Sequence, residues 1–159
     1  LEEVYPERPL YPEKPGARAS VRQIMKVSEL YLELSSRRLI AYAFSGKPAP
    51  EAAKADARHV TRRGIGAMQR LCRFGPFIAG ADMTMADIYV HYANAVVNSI
   101  GSRQLDWDIL AEIPGMKEWN REMRDTDIAR AIEADRQANE PEFTAYITNY
   151  LANNTIPGK

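Results

Sequence analysis

"GPFIAGADMTMADIYVHYA", residues 75–93, is the stretch on which the fold turns. Thr84-Met85-Ala86-Asp87 stands directly before a long apolar run, and a threonine followed three residues later by an acid has the pattern of a capping box. With Thr84 as N-cap, its side chain can accept the backbone N–H of Asp87, while the Asp87 carboxylate reaches back to the backbone N–H of Thr84. Two donors that a helix start otherwise leaves without partners are then satisfied. Asp replaces the more usual Glu or Gln, and its shorter arm suits a tight preceding loop at Ala79-Gly80-Ala81-Asp82. Met83 and Ile88 occupy the positions of a hydrophobic staple, and the carboxylate sits at the positive end of the helix dipole. No second carboxylate or histidine stands at ligand spacing beside it, so Thr84 and Asp87 are read as a structural capping box and not as a general base or metal site.

Outward from this helix, which is expected to run from Thr84 to about Ser99, the chain reads as helical throughout. From Gly16 to Ser45, Val21, Ile24, Met25, Ser28, Leu32, Ser35, Leu39 and Tyr42 recur at helical spacing, and Val27, Leu30, Tyr31 and Leu34 add a second apolar stripe. A helix apolar on two sides is expected to be covered on two sides. Gly46 should end it in a left-handed cap. A second long helix is expected from Pro50, in its first turn, to about Phe74, with a small inner stripe of Ala53, Ala57, Val60 and Gly64. Gly64 and Gly66 each cost about 1 kcal/mol relative to alanine in a helix, which implies close packing or a bend. A short turn near Leu105 to Leu110, a helix after Pro114, one from Asp125 to Ala138 and a last one from Pro141 to Ala152 complete an all-α helical bundle with two long leading helices. Residues 1–15, with prolines at 6, 9, 12 and 15, suit an extended polyproline-like linker.

Composition narrows the function classes. A chain of 159 residues is one domain of ordinary size, and 21 basic against 21 acidic residues give no general attraction to nucleic acid or anionic lipid. The signs are uneven: residues 51–73 hold six Lys/Arg against two Asp/Glu, and residues 106–142 hold eleven Asp/Glu against five Lys/Arg. Solvated faces of opposite sign account for this. The lone Cys72 excludes an internal disulfide and suits a reducing compartment, no apolar run approaches the about 18 residues of a membrane span, and no signal-peptide pattern opens the chain. A cytoplasmic protein without a membrane or nucleic-acid partner is the expectation.

Other chemistry-bearing residues read as structural. Cys72 stands beside Arg70 and Arg73 but is expected to be a small buried hydrophobe. His59 and His91 have no ligand company, so no metal is expected. Arg62 and Arg63 read as a solvated pair, and Trp107 and Trp119 as residues that seal the bundle.

Three segments resemble the cytosolic glutathione transferases. "FIAGADMTMADIYV" is similar to the loop and capping box opening their sixth helix, "LEEVYPERPLYPEKPGARASVRQ" to their interdomain linker and the start of the fourth helix, and "IPGMKEWNREM" to the Pro-x-x-x-x-Trp element near the seventh. The resemblance implies that residues 16–159 form a C-terminal-like helical domain, starting after a linker at 1–15. It also implies that glutathione, the co-substrate, is held mainly by an amino-terminal thioredoxin-like domain whose Ser, Tyr or Cys activates the thiol and which these residues do not contain. This chain by itself should then be inactive. On position along the fourth helix, the resemblance further implies that Met25, Ser28 and Tyr31 line the site for a small electrophilic substrate, and that the parent protein is a homodimer. A second implication is kept open: glutathione-transferase-like domains also serve as non-catalytic assembly modules in translation factors and tRNA synthetases.

Overall fold

The computed structural model describes residue 2 and residues 4–153; positions 1 and 3 of the expected linker and 154–159 of the expected helical domain lie outside the described residues. Every named element among them is helical. The first is α1, Pro15–Val27, with proline in its first turn where the missing N–H costs nothing. The single helix expected from Gly16 to Ser45 is in fact a broken rod. After α1 comes a π-helical segment, Ser28–Glu33, then α2, Leu34–Arg37, and α3, Ile40–Ser45. The break between α2 and α3 falls at Leu39, whose φ of −100° and ψ of 2° leave the helical region. Gly46, at φ 66°, ends α3 in the left-handed cap that the sequence requires.

The rod keeps one buried stripe despite its breaks. Val21, Ile24, Ser28, Leu32, Ser35 and Leu39 are all fully buried. Wider π turns change which residues align, and here they carry the stripe onward to the next helix, α4, Glu51–Leu71. Contact with α4 is close because α4 is small there. A Cβ at Gly64 would stand 2.7 Å from Tyr31 Cβ and 2.8 Å from Leu32 Cδ2, too near for any side chain. One turn away, Ser35 Oγ donates to the Ala57 carbonyl at 3.0 Å and lies 3.1 Å from Thr61 Oγ1, so buried hydroxyls pair across the same seam. Pro50 is the N-cap of α4 and not a residue of its first turn, and the helix stops at Leu71, short of the expected Phe74, because Cys72 is extended and Phe74 takes a positive φ.

Helix α5, Met85–Ile100, runs through the core with Val90, Val97 and Ile100 buried. A second π-helical segment, Gly101–Leu105, follows it. Helix α6, Met116–Arg124, starts at Gly115, where φ is 85° and a Cβ would meet the Phe74 ring at 2.8 Å. Two further helices were expected after Asp125, but there is one, α7, Asp127–Asn153, with Pro141 inside it. Proline removes one backbone donor and crowds the turn before it. Residues 134–146 are all exposed, so water can satisfy the carbonyl that this donor would have served.

The proline-rich segment is bent and docked. The Glu2 carboxylate accepts the backbone N–H groups of Leu10 and Tyr11 at 2.6 and 3.2 Å, the Leu10 carbonyl accepts the Met85 N–H at 2.9 Å, and Arg18 Nε donates to the Pro12 carbonyl at 3.1 Å. These bonds fold the segment back against the start of α5.

Candidate functional site

Asp87 is the most heavily bonded side chain near the centre of the molecule. It is fully buried in the first turn of α5, and both halves of the capping box with Thr84 are formed. Its Oδ2 accepts the Thr84 backbone N–H at 2.8 Å and the Thr84 hydroxyl at 3.0 Å. Its Oδ1 accepts the Ile78 N–H at 2.7 Å and the Trp119 indole N–H at 3.1 Å. One carboxylate thus joins the loop before α5, the start of α5 and α6. Four donors occupy its two oxygens, so the group holds the fold together and has little capacity left for a substrate.

Met25, Ser28 and Tyr31 do not converge on one face. Met25 stands in α1 and Tyr31 in the π-helical segment, and their contacts lie on different flanks of the rod. Met25 is half-buried toward the proline-rich segment, where the Tyr11 hydroxyl donates to its sulfur at 3.4 Å. Tyr31 is half-buried toward α4, with the Arg63 guanidinium 5.6 Å from its ring centre. Ser28 is fully buried between them, and its hydroxyl has no hydrogen-bond partner.

Where the π-helical segment and α2 meet α5 stand groups that the sequence did not single out. The Tyr89 hydroxyl, from α5, donates to Glu33 Oε2 at 3.0 Å, and Arg37 holds Glu33 Oε1 through Nε at 2.8 Å and Nη2 at 2.7 Å. Burial, reinforced by Glu33, pushes the Tyr89 hydroxyl up to about 12, so it stays a neutral donor near neutral pH. Spacing of i, i+4 made the Glu33–Arg37 pair legible; nothing local joined it to Tyr89, 56 residues away. An open cleft of about 840 Å³ lies under the proline-rich segment, its lining including Tyr11, Arg22 and Met85. The Arg22 guanidinium stands 5.6 Å from the Tyr11 ring centre.

The remaining candidates have structural surroundings. Burial pushes the Cys72 thiol up to about 12, far from a reactive thiolate. His91 Nδ1 lies 3.1 Å from Asn120 Oδ1, and burial lowers its pKa, so it stays neutral. Trp107 is covered by Arg58 and Arg62, each 5.7 Å from a ring centre. Among the described residues, no helix is long and apolar enough to cross a membrane.

A bundle led by a broken helical rod, with a buried acid locking the start of its central helix, defines an all-α fold resembling the C-terminal domain of glutathione S-transferases. No protein-family model matches the chain. Over 147 residues it is 31% identical to a Pseudomonas putida F1 protein named glutathione S-transferase, and the match covers 92% of this chain and 67% of that relative. The chain belongs to the glutathione S-transferase family.

Proposed function

We propose that this chain is the helical half of an enzyme that transfers glutathione to a small electrophile. In this reading residues 1–15 are the interdomain linker and residues 16–159 the C-terminal domain. The first helical rod forms the wall of the electrophile pocket, with Met25 and Tyr31 on its two flanks and Ser28 behind them. Glutathione is held mainly by a preceding domain of the parent protein, and the parent is a cytoplasmic homodimer. One observation carries the reading: the rod is core on one side, yet Leu30 and Leu34 on its outer side remain 49% and 45% exposed. Two leucines one turn apart on a helix already buried along its other face fit a rod that another domain or subunit covers.

The test is steady-state kinetics with several electrophiles on the full-length parent protein, its Tyr31→Phe variant and the 159-residue chain. The parent should conjugate, the isolated chain should not, and Tyr31→Phe should change selectivity among electrophiles while leaving the KM for glutathione within about twofold. Turnover by the isolated chain would overturn the half-enzyme reading. A strictly monomeric parent in sedimentation would remove the dimer from it.

A further inference from the structure

The six methionines of the chain divide by place. Met68, Met116 and Met123 are buried in the core, whereas Met25, Met83 and Met85 all stand where the proline-rich segment meets α1 and the start of α5. Met83 is 37% exposed. Met85 lines the cleft under the segment, and its backbone N–H donates to the Leu10 carbonyl at 2.9 Å. Met25 is half-buried, and its sulfur accepts the Tyr11 hydroxyl at 3.4 Å. Tyr11 also sits at the bend: Glu2 holds its backbone N–H together with that of Leu10, and the Arg22 guanidinium lies 5.6 Å from its ring centre. The thioether of Met25 therefore fastens the same two residues, Leu10 and Tyr11, whose backbone is tied to Glu2 and to α5.

We propose that the docked proline-rich segment is a peroxide-sensitive strap, which comes away from α1 and α5 when Met25 is oxidised to its sulfoxide. The thioether sulfur attacks one oxygen of hydrogen peroxide with a lone pair, so that an S–O bond forms and the O–O bond breaks. The second oxygen leaves as hydroxide, takes the proton from the oxygen now bound to sulfur, and departs as water. Sulfur gives up two electrons and the peroxide gains them. A flexible apolar side chain has become a polar one. Added on the side of the sulfur that Tyr11 uses, the oxygen lies well inside hydrogen-bonding distance of the phenol oxygen, and Tyr11 has to move out. Added on the other side, it faces the edge of the apolar core against which Met25 and Tyr11 both pack, where an acceptor without water is costly. Either product drives the two residues apart. Leu10 moves with its neighbour, so its bond to the Met85 N–H opens and the start of α5 gains solvent. Met83 and Met85 take up oxygen without this effect, because one is exposed and the other lines an open cleft where water can solvate a sulfoxide.

The experiment treats the full-length parent protein and its Met25→Leu and Met85→Leu variants with hydrogen peroxide, maps oxygen uptake by peptide mass spectrometry, and follows amide hydrogen exchange by NMR before and after. Met25, Met83 and Met85 should gain oxygen ahead of Met68, Met116 and Met123. Exchange of the amides at positions 10, 11 and 85 should then accelerate by at least about tenfold in the unsubstituted protein and in Met85→Leu, and by less than about twofold in Met25→Leu. Leucine keeps most of the apolar volume of Met25, and circular dichroism matching the unsubstituted protein shows that each variant is folded before treatment. Met25 fully oxidised in the unsubstituted protein with no acceleration at these amides would overturn the proposal, and so would equal acceleration in Met25→Leu. Met25 left unoxidised while Met83 and Met85 convert, or core methionines converting as fast as Met25, would overturn it as well.

Discussion

Trp119 reaches across from α6 to place its indole N–H 3.1 Å from Asp87 Oδ1, the carboxylate oxygen that also receives the Ile78 N–H. A residue that in sequence terms caps one helix is therefore the point where α5, α6 and the loop before α5 are fastened together. Burial makes the arrangement consequential, because a donor left without a partner away from water costs more than the bond that served it gained.

Asp87→Ala leaves four donors without their acceptor, and should destabilise the chain by roughly 2–4 kcal/mol. Asp56→Ala removes only an exposed ion pair with Arg38 and should cost no more than about 0.5 kcal/mol. Urea midpoints decide the matter, and equal values for the two variants would refute the fastening role of Asp87.

Trp119→Phe keeps most of the buried ring and deletes the N–H, so a loss of about 1–2 kcal/mol is expected. In a double-mutant cycle with Asp87→Ala the losses should fall short of additivity by at least about 0.5 kcal/mol. Strict additivity would mean that the two groups are not energetically coupled.

The glycines of α4 should respond oppositely to alanine. Gly66 has nothing within 4 Å of an added Cβ, so Gly66→Ala should stabilise by about 0.5–1 kcal/mol through helix propensity. At Gly64 the same Cβ would meet Tyr31 Cβ, which cannot move aside without its backbone, and a net loss of about 1–3 kcal/mol is expected. Thermal midpoints moving in the same direction for both would contradict the close approach of the rod to α4.

Cys72 gives a pH dependence whose sign can be worked out. Its pKa rises from 9.0 to about 12 on folding, so above pH 9 the unfolded chain ionises while the folded chain does not. Stability should therefore be unaffected by this group below pH 9 and fall as pH rises from there toward 12, with a slope of at most about 1.4 kcal/mol per pH unit. Cys72→Ala should have a shallower fall between pH 9 and 10 in denaturation midpoints. An unchanged slope would assign the effect elsewhere.

What could be read in the sequence was what is local. Thr84 and Asp87 are three residues apart, Gly46 follows the last helical residue of its run, and both features depend on short-range backbone geometry. Trp119 could be placed in the core but not against Asp87, because a pairing over 32 residues leaves no periodic trace. The π-helical segment escaped because apolar spacing of three and four continues through it. Helical spacing put Met25 and Tyr31 on different stripes of the rod, and only the family resemblance grouped them. Pro141 suggested a boundary that solvent exposure makes unnecessary.

The bent proline-rich segment has one more consequence. Its Leu10 carbonyl takes the first backbone donor of α5, and Glu2 holds the two amides that set the bend. What looks like a tether is thus the clasp of the central helix. A force pulling on this segment would be felt first at the buried start of α5 and not at α1, to which it is covalently joined. The bonds that shape this clasp begin at Glu2, some dozen residues ahead of the first helix at Pro15.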